Sequence, residues 1–151
     1  MKLLFVASSG GHFEELMCLR PLMDKYESIL ITEAGGQAED SRVPVDYIFP
    51  QINRKEKGFF RAFLTLCRSV KDILKKEKPD VIISTGALLS FPFCLFGKIY
   101  RKKVVYIESF ARIDNLSLTG RLVYFFADMF LVQWHNLALK YHRARYVGSI
   151  F

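Results

Sequence analysis

The chain has 151 residues, 51% of them hydrophobic, which is one domain's length and enough apolar surface for a full core. Its formal net charge of +7 selects for acidic partners: nucleic acid, anionic lipid or a phosphorylated substrate. Three cysteines and three histidines, all scattered, exclude a disulfide framework and argue against zinc or any other metal; the thiols read as buried and free in a reducing cytoplasm.

In chain order, short β-rich runs fall at residues 2–7, 28–32, 45–49, 81–84, 104–107 and 129–133. Helical periodicity fills most of the intervals, at residues 12–25, 59–76, 87–100, 118–126 and 136–142. Strands alternating with helices predict βαβ units and a mostly parallel sheet. The early strands are continuous apolar runs, as expected when helices cover both sheet faces. The opening "MKLLFVASSGG" has too short an apolar run for a signal peptide and reads as the first strand. The longest uncharged stretch, residues 81–97, contains "STGA" and Pro92 and reads as strand, turn and buried helix rather than a membrane span. "AGGQAEDSR", residues 34–42, reads as a polar loop. The whole chain, residues 1–151, is expected to form one α/β, Rossmann-like domain with helices on both faces.

In such a sheet, sites form beyond the carboxyl ends of the strands. "SSGGH" follows the first strand, "STGA" the fourth and "ESFAR" the fifth. Gly10 and Gly11 allow a tight turn and close approach of a ligand, and the helix that follows offers N–H groups to an anion. Glu14 and Glu15 already complement that helix dipole, and no GxGxxG or GxxxxGK[ST] fingerprint is present. His12 reads either as a capping residue or as a general base or hydrogen-bond donor to substrate. Ser84, Thr85 and Gly86 read either as a helix entry or as substrate contacts. Glu108 ends an apolar strand, where a carboxylate is costly unless paired. It either pairs with Arg112, or touches a hydroxylated substrate or orients His12.

Charge is concentrated between Arg54 and Lys78, with nine Lys/Arg against three Asp/Glu. On a helical projection of residues 59–76, Phe63, Cys67, Val70 and Leu74 form the core face. Phe60 and Leu64 lie beside Arg61, Arg68, Lys71 and Lys75. With Lys55, Lys57 and Phe59, this apolar rim along a cationic stripe reads either as an ordinary solvated face or as an interfacial contact with an anionic membrane. The next helix, apolar nearly all round, extends the same surface. No nucleic-acid-binding motif accompanies the charge, so nucleic acid is not an expected partner.

"FVASSGGH", "DVIISTGA", "YIESFAR" and "YVGSIF", in this order and spacing, make the chain similar to bacterial capsular and exopolysaccharide glycosyltransferase accessory subunits of the PssD type. These resemble the membrane-bound subunit of the eukaryotic two-subunit N-acetylglucosaminyltransferase of lipid-linked oligosaccharide synthesis, and more distantly the N-terminal half of the peptidoglycan lipid-intermediate glycosyltransferase. The resemblance covers essentially the whole chain. It implies the N-terminal, acceptor half of a GT-B glycosyltransferase: an inverting hexosyltransferase subunit active only with a separate chain that binds the nucleotide-sugar. It implies no cofactor, a lipid-diphosphate-linked sugar acceptor, and a place on the cytoplasmic face of the plasma membrane as a peripheral protein. His12 would then take the proton of the acceptor hydroxyl, with Ser9, Gly10, Gly11, Ser84, Thr85, Gly86 and Arg112 around the acceptor. Ser149, Ile150 and Phe151 would lie at the interface with the donor-binding chain, because the sequence stops where a single-chain enzyme would enter its second domain. The alternatives are a membrane-recruiting scaffold without chemistry of its own and an unrelated small nucleotide-binding protein.

Overall fold

The computed structural model describes residues 1–35 and 44–150. The loop expected at 34–42 therefore lies mostly outside the described residues. Seven strands, β1 (Lys2–Ala7), β2 (Glu27–Glu33), β3 (Tyr47–Phe49), β4 (Val81–Gly86), β5 (Lys103–Ile107), β6 (Met129–Val132) and β7 (Ala144–Tyr146), join in the order β3-β2-β1-β4-β5-β6-β7. Every pairing is parallel. The helices are α1 (Gly11–Met17), α2 (Arg20–Lys25), α3 (Phe59–Glu77), α4 (Ser90–Ile99), α5 (Leu118–Tyr124) and α6 (His135–Lys140).

Strand alternation distributes the core between two faces. Leu4, Val6, Ile31 and Ile82 meet Leu66, Val70, Ile73 and Leu74 of α3 on one side. Their neighbours Leu3, Phe5, Leu30 and Ile83 meet Phe13 and Leu16 of α1 on the other. Beyond β4, Val104, Tyr106, Phe130 and Val132 continue the first face under α4, α5 and α6. The sheet is doubly wound, as expected, and its order reverses between β1 and β4, the position where such sheets hold ligands.

Five local expectations are corrected. The helix expected at 12–25 is two helices, because Pro21 lacks an N–H and its ring would clash with the turn before it; it sits in the first turn of α2 instead. The buried face of α3 is Leu66, Val70, Ile73 and Leu74; Phe63 and Cys67 flank it, half-buried. Helix α4 starts three residues late, since Gly86 and Ala87 both take positive φ, 118° and 70°. Strand β7 was not expected: it is three residues long and two of them are exposed, so it carries no apolar run. Among the thiols, Cys94 is buried and pushed up to about 12 by desolvation, whereas Cys18 is exposed.

At the amino ends of the strands, partly buried ion pairs tie the elements together. Lys2 Nζ lies 2.8 Å from Glu77 and 3.2 Å from Glu27, and Tyr47 donates to Glu77 at 2.5 Å. The Lys2 hydrogen bond, then that of Tyr47, hold the Glu77 carboxyl below its ordinary range. Asp128 accepts from Lys98 at 2.6 Å and from the Val104 N–H at 2.9 Å. Burial pushes Asp128 up, but these partners outweigh it and leave it lowered.

Candidate functional site

The sequence puts β1 and β4 side by side and then breaks their register. Val6 pairs with Ser84 but Ala7 pairs with Gly86, so Thr85 is an extra residue in β4. Such bulges re-aim a side chain next to a site. The bulged Thr85 meets His12 twice. Its hydroxyl donates to the His12 carbonyl at 2.6 Å, and its carbonyl lies 2.9 Å from His12 Nδ1. A carbonyl can only accept, so Nδ1 carries the proton and Nε2 is the acceptor of the neutral ring. Gly86 is required here: with φ +118°, an added Cβ would come within 3.0 Å of the Tyr106 hydroxyl and 3.2 Å of the His12 ring. Gly10 enters α1 at φ +84°, but a Cβ on Gly10 or Gly11 would meet only open space. The carbonyl of Gly10 accepts from the Phe13 and Glu14 N–H groups, and α1 is a short helix.

His12 lines a cleft of about 330 Å³ together with Arg54, Leu88, Ser109, Arg112 and Ser117. Of the expected acceptor residues, Arg112 is in this cleft and Ser9 is in the neighbouring one, where its hydroxyl accepts from Gln51 at 3.0 Å. Ser84, Thr85 and Gly86 are fully buried. Ser84 accepts from the Gly86 N–H at 3.0 Å, so this trio shapes the turn and holds His12 instead of facing the cleft.

Glu108 also departs from expectation. Its carboxylate has no exposure and accepts from the Ser117 N–H at 3.0 Å, the Ser117 hydroxyl at 3.2 Å and the Ser109 N–H at 3.1 Å. Burial pushes its pKa up, against the Ser117 and Ser109 hydrogen bonds, and Arg112 acts on it only as a nearby charge. An added Cβ at Gly120 would overlap Glu108 Oε2. The residue fastens the two ends of loop 108–117 and does not touch His12.

A second buried carboxylate, Glu15, holds the same loop. It accepts from the Ser109 hydroxyl at 2.8 Å, the Phe110 N–H at 3.0 Å and Gln133 Nε2 at 3.3 Å. Gln133 also donates to the Glu108 carbonyl at 3.1 Å, and Trp134 to that of Phe110 at 2.6 Å. The loop that carries Arg112 is thus tied down by α1, by the end of β6 and by the entry to α6. Sequence reasoning missed Glu15, Gln133 and Trp134. Gln133 had the one available signal, a polar residue closing an apolar strand, as at Glu108. Arg54 was missed as a cleft residue because the loop between β3 and α3 brings it there. Glu33, nine-tenths buried at the end of β2, is another miss; burial raises its carboxyl, opposed by a Ser8 hydrogen bond and the nearby His12. Among the described residues no carboxylate pairs with Arg54, Lys55 or Arg112, and no cluster suited to a metal ion forms.

On α3, Phe60 is 72% exposed, and Leu64, Arg61, Arg68 and Lys75 are exposed with it, as are Lys55 and Lys57 before the helix. Phe59 is half-buried, stacked on Phe63 at 5.7 Å. Lys71 lies over the Phe96 ring at 4.6 Å, which binds it to α4. The structure adds a stripe that sequence reading passed over: Leu118, Leu122 and Phe125 of α5 and its C-cap are all exposed, beside Arg121. Ile150 is half-buried against the core on the α1 side and its N–H donates to Gln133 at 3.0 Å. Its expected place at an interface is thus at least partly taken by its own domain; Ser149 is exposed, and Phe151 lies outside the described residues.

A doubly wound parallel sheet with a polar, cation-flanked cleft at its switch point is a Rossmann-like domain. Solved structures share the fold. The Staphylococcus aureus MnaA–UDP structure superposes with a TM-score of 0.78 at 15% identity, over 99% of this chain and 45% of that one. MurG from Acinetobacter baumannii gives 0.67 at 16% identity, over 89% and 42%. The chain spans less than half the length of either. The sequence profile described as "Oligosaccharide biosynthesis protein Alg14 like" matches residues 53–150. The Schizosaccharomyces pombe UDP-N-acetylglucosamine transferase subunit alg14 is 34% identical over 98% of this chain and 82% of its own length. The human subunit ALG14 is 36% identical over 99% and 83%. The chain belongs to the Alg14-like family of oligosaccharide biosynthesis proteins.

Proposed function

We propose that this chain is the acceptor-binding subunit of a two-chain, inverting glycosyltransferase that acts on a lipid-diphosphate-linked sugar at a membrane. The observation that carries the reading is His12: its Nδ1 is fixed on Thr85, which leaves Nε2 as acceptor beside a cleft flanked by Arg54 and Arg112. In the reaction an acceptor hydroxyl oxygen bonds to the anomeric carbon of the donor sugar. The bond from that carbon to the nucleotide diphosphate breaks, and the hydroxyl proton passes to Nε2. The nucleotide-sugar is held by a second chain facing the carboxyl edge, as the relatives' description as transferase subunits suggests. Bacterial capsule or exopolysaccharide synthesis is the proposed setting. No helix among the described residues is long and apolar enough to cross a membrane. The proposed attachment is peripheral, on the inner face of the plasma membrane, through Phe60, Leu64 and the cations of α3, with the α5 stripe as a second foot.

One observation favours the scaffold reading: Glu108 is engaged in the loop, so His12 stands without a second catalytic carboxylate. The separating experiment assays this chain, its donor-binding partner and their mixture with lipid-linked acceptor and a panel of nucleotide-sugars. Transfer only in the mixture, lost with His12→Ala while the two chains still co-purify, supports the proposal. Transfer by the partner alone at the mixture's rate overturns it.

A further inference from the structure

Three hollows along the carboxyl edge are continuous. The cleft over His12 shares Arg54 and Leu88 with a bay of about 550 Å³ that also holds Ser9, Glu33 and Lys55. That bay shares Gln51 and Ile52 with a groove of about 440 Å³ between residues 49–52 and the first turns of α3. The chemistry changes in order along this path. Imidazole, hydroxyls and the Arg112 guanidinium line the first hollow, with Arg54 where it meets the second. Arg54 and Lys55, without a carboxylate partner among the described residues, flank the second. Phe49, Pro50, Ile52, Ala62 and Leu66 wall the third, with Arg61 at its rim.

We infer that the path is the track of one amphiphile: a sugar over His12, its diphosphate between Arg54 and Lys55, and the first units of a polyprenyl chain in the groove beside α3. The inference rests on the proposed function, and it adds that the protein itself grips the lipid chain. The acceptor would then be drawn partly out of the bilayer, and the length and saturation of its first units would matter. Charge complementarity selects this occupant. An uncharged lipid would leave the two cations of the bay unanswered, and a free sugar diphosphate would leave the groove open to water. Among the described residues Glu33 is the one acid lining the bay, and burial raises its carboxyl above the ordinary range.

The test needs neither partner nor membrane. Binding of inorganic diphosphate, geranyl diphosphate, farnesyl diphosphate and farnesol to the chain is measured by calorimetry below their aggregation concentrations. Each methylene removed from water is worth about fourfold in affinity, so farnesyl diphosphate should bind at least tenfold tighter than inorganic diphosphate, with geranyl diphosphate between. Ala62 is exposed on the groove wall, so Ala62→Trp should fold normally by circular dichroism and cancel the prenyl increment while leaving inorganic diphosphate unchanged. Arg54→Glu should weaken both diphosphates and leave farnesol unaffected. Equal binding of farnesyl and inorganic diphosphate, or an increment that survives Ala62→Trp, overturns the track. Prenyl binding without sugar transfer in the two-chain assay would keep the track and remove the transferase reading. Transfer to lipid acceptor at an unchanged KM in Ala62→Trp would do the reverse.

Discussion

The two ends of the sheet solve one problem with opposite chemistry. At the amino ends, carboxylates close the strands with cations: Glu77 and Asp128 sit among Lys2, Lys98 and Lys103, and their pKa values are lowered. At the carboxyl ends, Glu108 and Glu15 are buried among N–H and hydroxyl donors, with no ion pair to lysine or arginine among the described residues, and Glu108 is raised. Neutral donors can hold the site loop as firmly as ion pairs hold the far edge. The difference is what remains afterwards. The far edge has used its cations, whereas, among the described residues, Arg54, Lys55 and Arg112 have no carboxylate partner at the cleft and its neighbouring bay.

The largest test of this asymmetry is catalytic. His12→Ala should lower turnover of the two-chain complex by about 10²–10⁴-fold, because Nε2 is lost from a cleft whose described lining holds no other histidine or carboxylate. Measured in the same assay, Lys98→Ala at the far edge should leave turnover within about twofold, since a single exposed ion pair contributes at most ~1 kcal/mol. A His12→Ala complex at near-normal rate would end the catalytic reading.

Next in size is packing. Gly120→Ala places a methyl group onto Glu108 Oε2, and overpacking of this kind costs about 1–3 kcal/mol. Urea unfolding should show a lower midpoint. An unchanged midpoint would mean that loop 108–117 yields easily and is not clamped.

The carboxylates themselves should respond to pH in opposite directions. Glu108 has a native pKa above the ordinary 4.5. The native state therefore holds its proton longer than the unfolded chain, and stability falls as pH rises from about that value through the native pKa. Glu77 lies below 4.5 in the native state. Its contribution is present above 4.5 and is lost as pH falls through the native pKa. Unfolding free energies of the wild type, Glu108→Gln and Glu77→Gln, followed from acid to neutral pH, should give difference curves of opposite slope. Glu108→Gln should also cost about 1–3 kcal/mol near neutrality, because an amide NH₂ would face the Ser109 or Ser117 donors. Parallel curves would erase the distinction between the edges.

The smallest effect concerns the membrane. Phe60→Ser with Arg61→Glu should reduce flotation with anionic vesicles, at about 1 kcal/mol per cation removed from the surface, and salt should reduce it further. Lys71→Glu should do less than Arg61→Glu, since Lys71 rests on Phe96. Equal flotation of all variants would move the contact off α3.

Regular elements were legible because their causes are local. The continuous apolar runs of β1, β2 and β4 and the long periodicity of α3 can be read within a window of residues. The break at Pro21 was equally local and was missed only because the apolar pattern continues through it. Strand β7 has no pattern to read, because an edge strand with two exposed residues looks like a loop. The site was legible as a location, since three unusual stretches converge on one edge. It was not legible as a division of labour. Whether Glu108 faces substrate or backbone depends on Ser117 and Gly120, and Arg54 reaches the cleft through a loop whose path no local signal sets. Glu15 looked like a helix-dipole residue, and its partners Ser109 and Gln133 lie 94 and 118 positions away.

The contact between His12 and Thr85 spans 73 residues of chain. A ribosome adding about 5–20 residues per second makes Thr85 roughly 4–15 s after His12. For that interval β1, whose side chains from Leu3 to Ala7 are all buried in the finished sheet, has β2 as a possible neighbour but not β4. Nothing yet holds the imidazole in place. The newborn protein therefore carries a half-covered central strand for seconds, and slower elongation between residues 33 and 80 would lengthen that exposure. The cleft, the first part of the sequence to be made, is among the last parts of the molecule to exist.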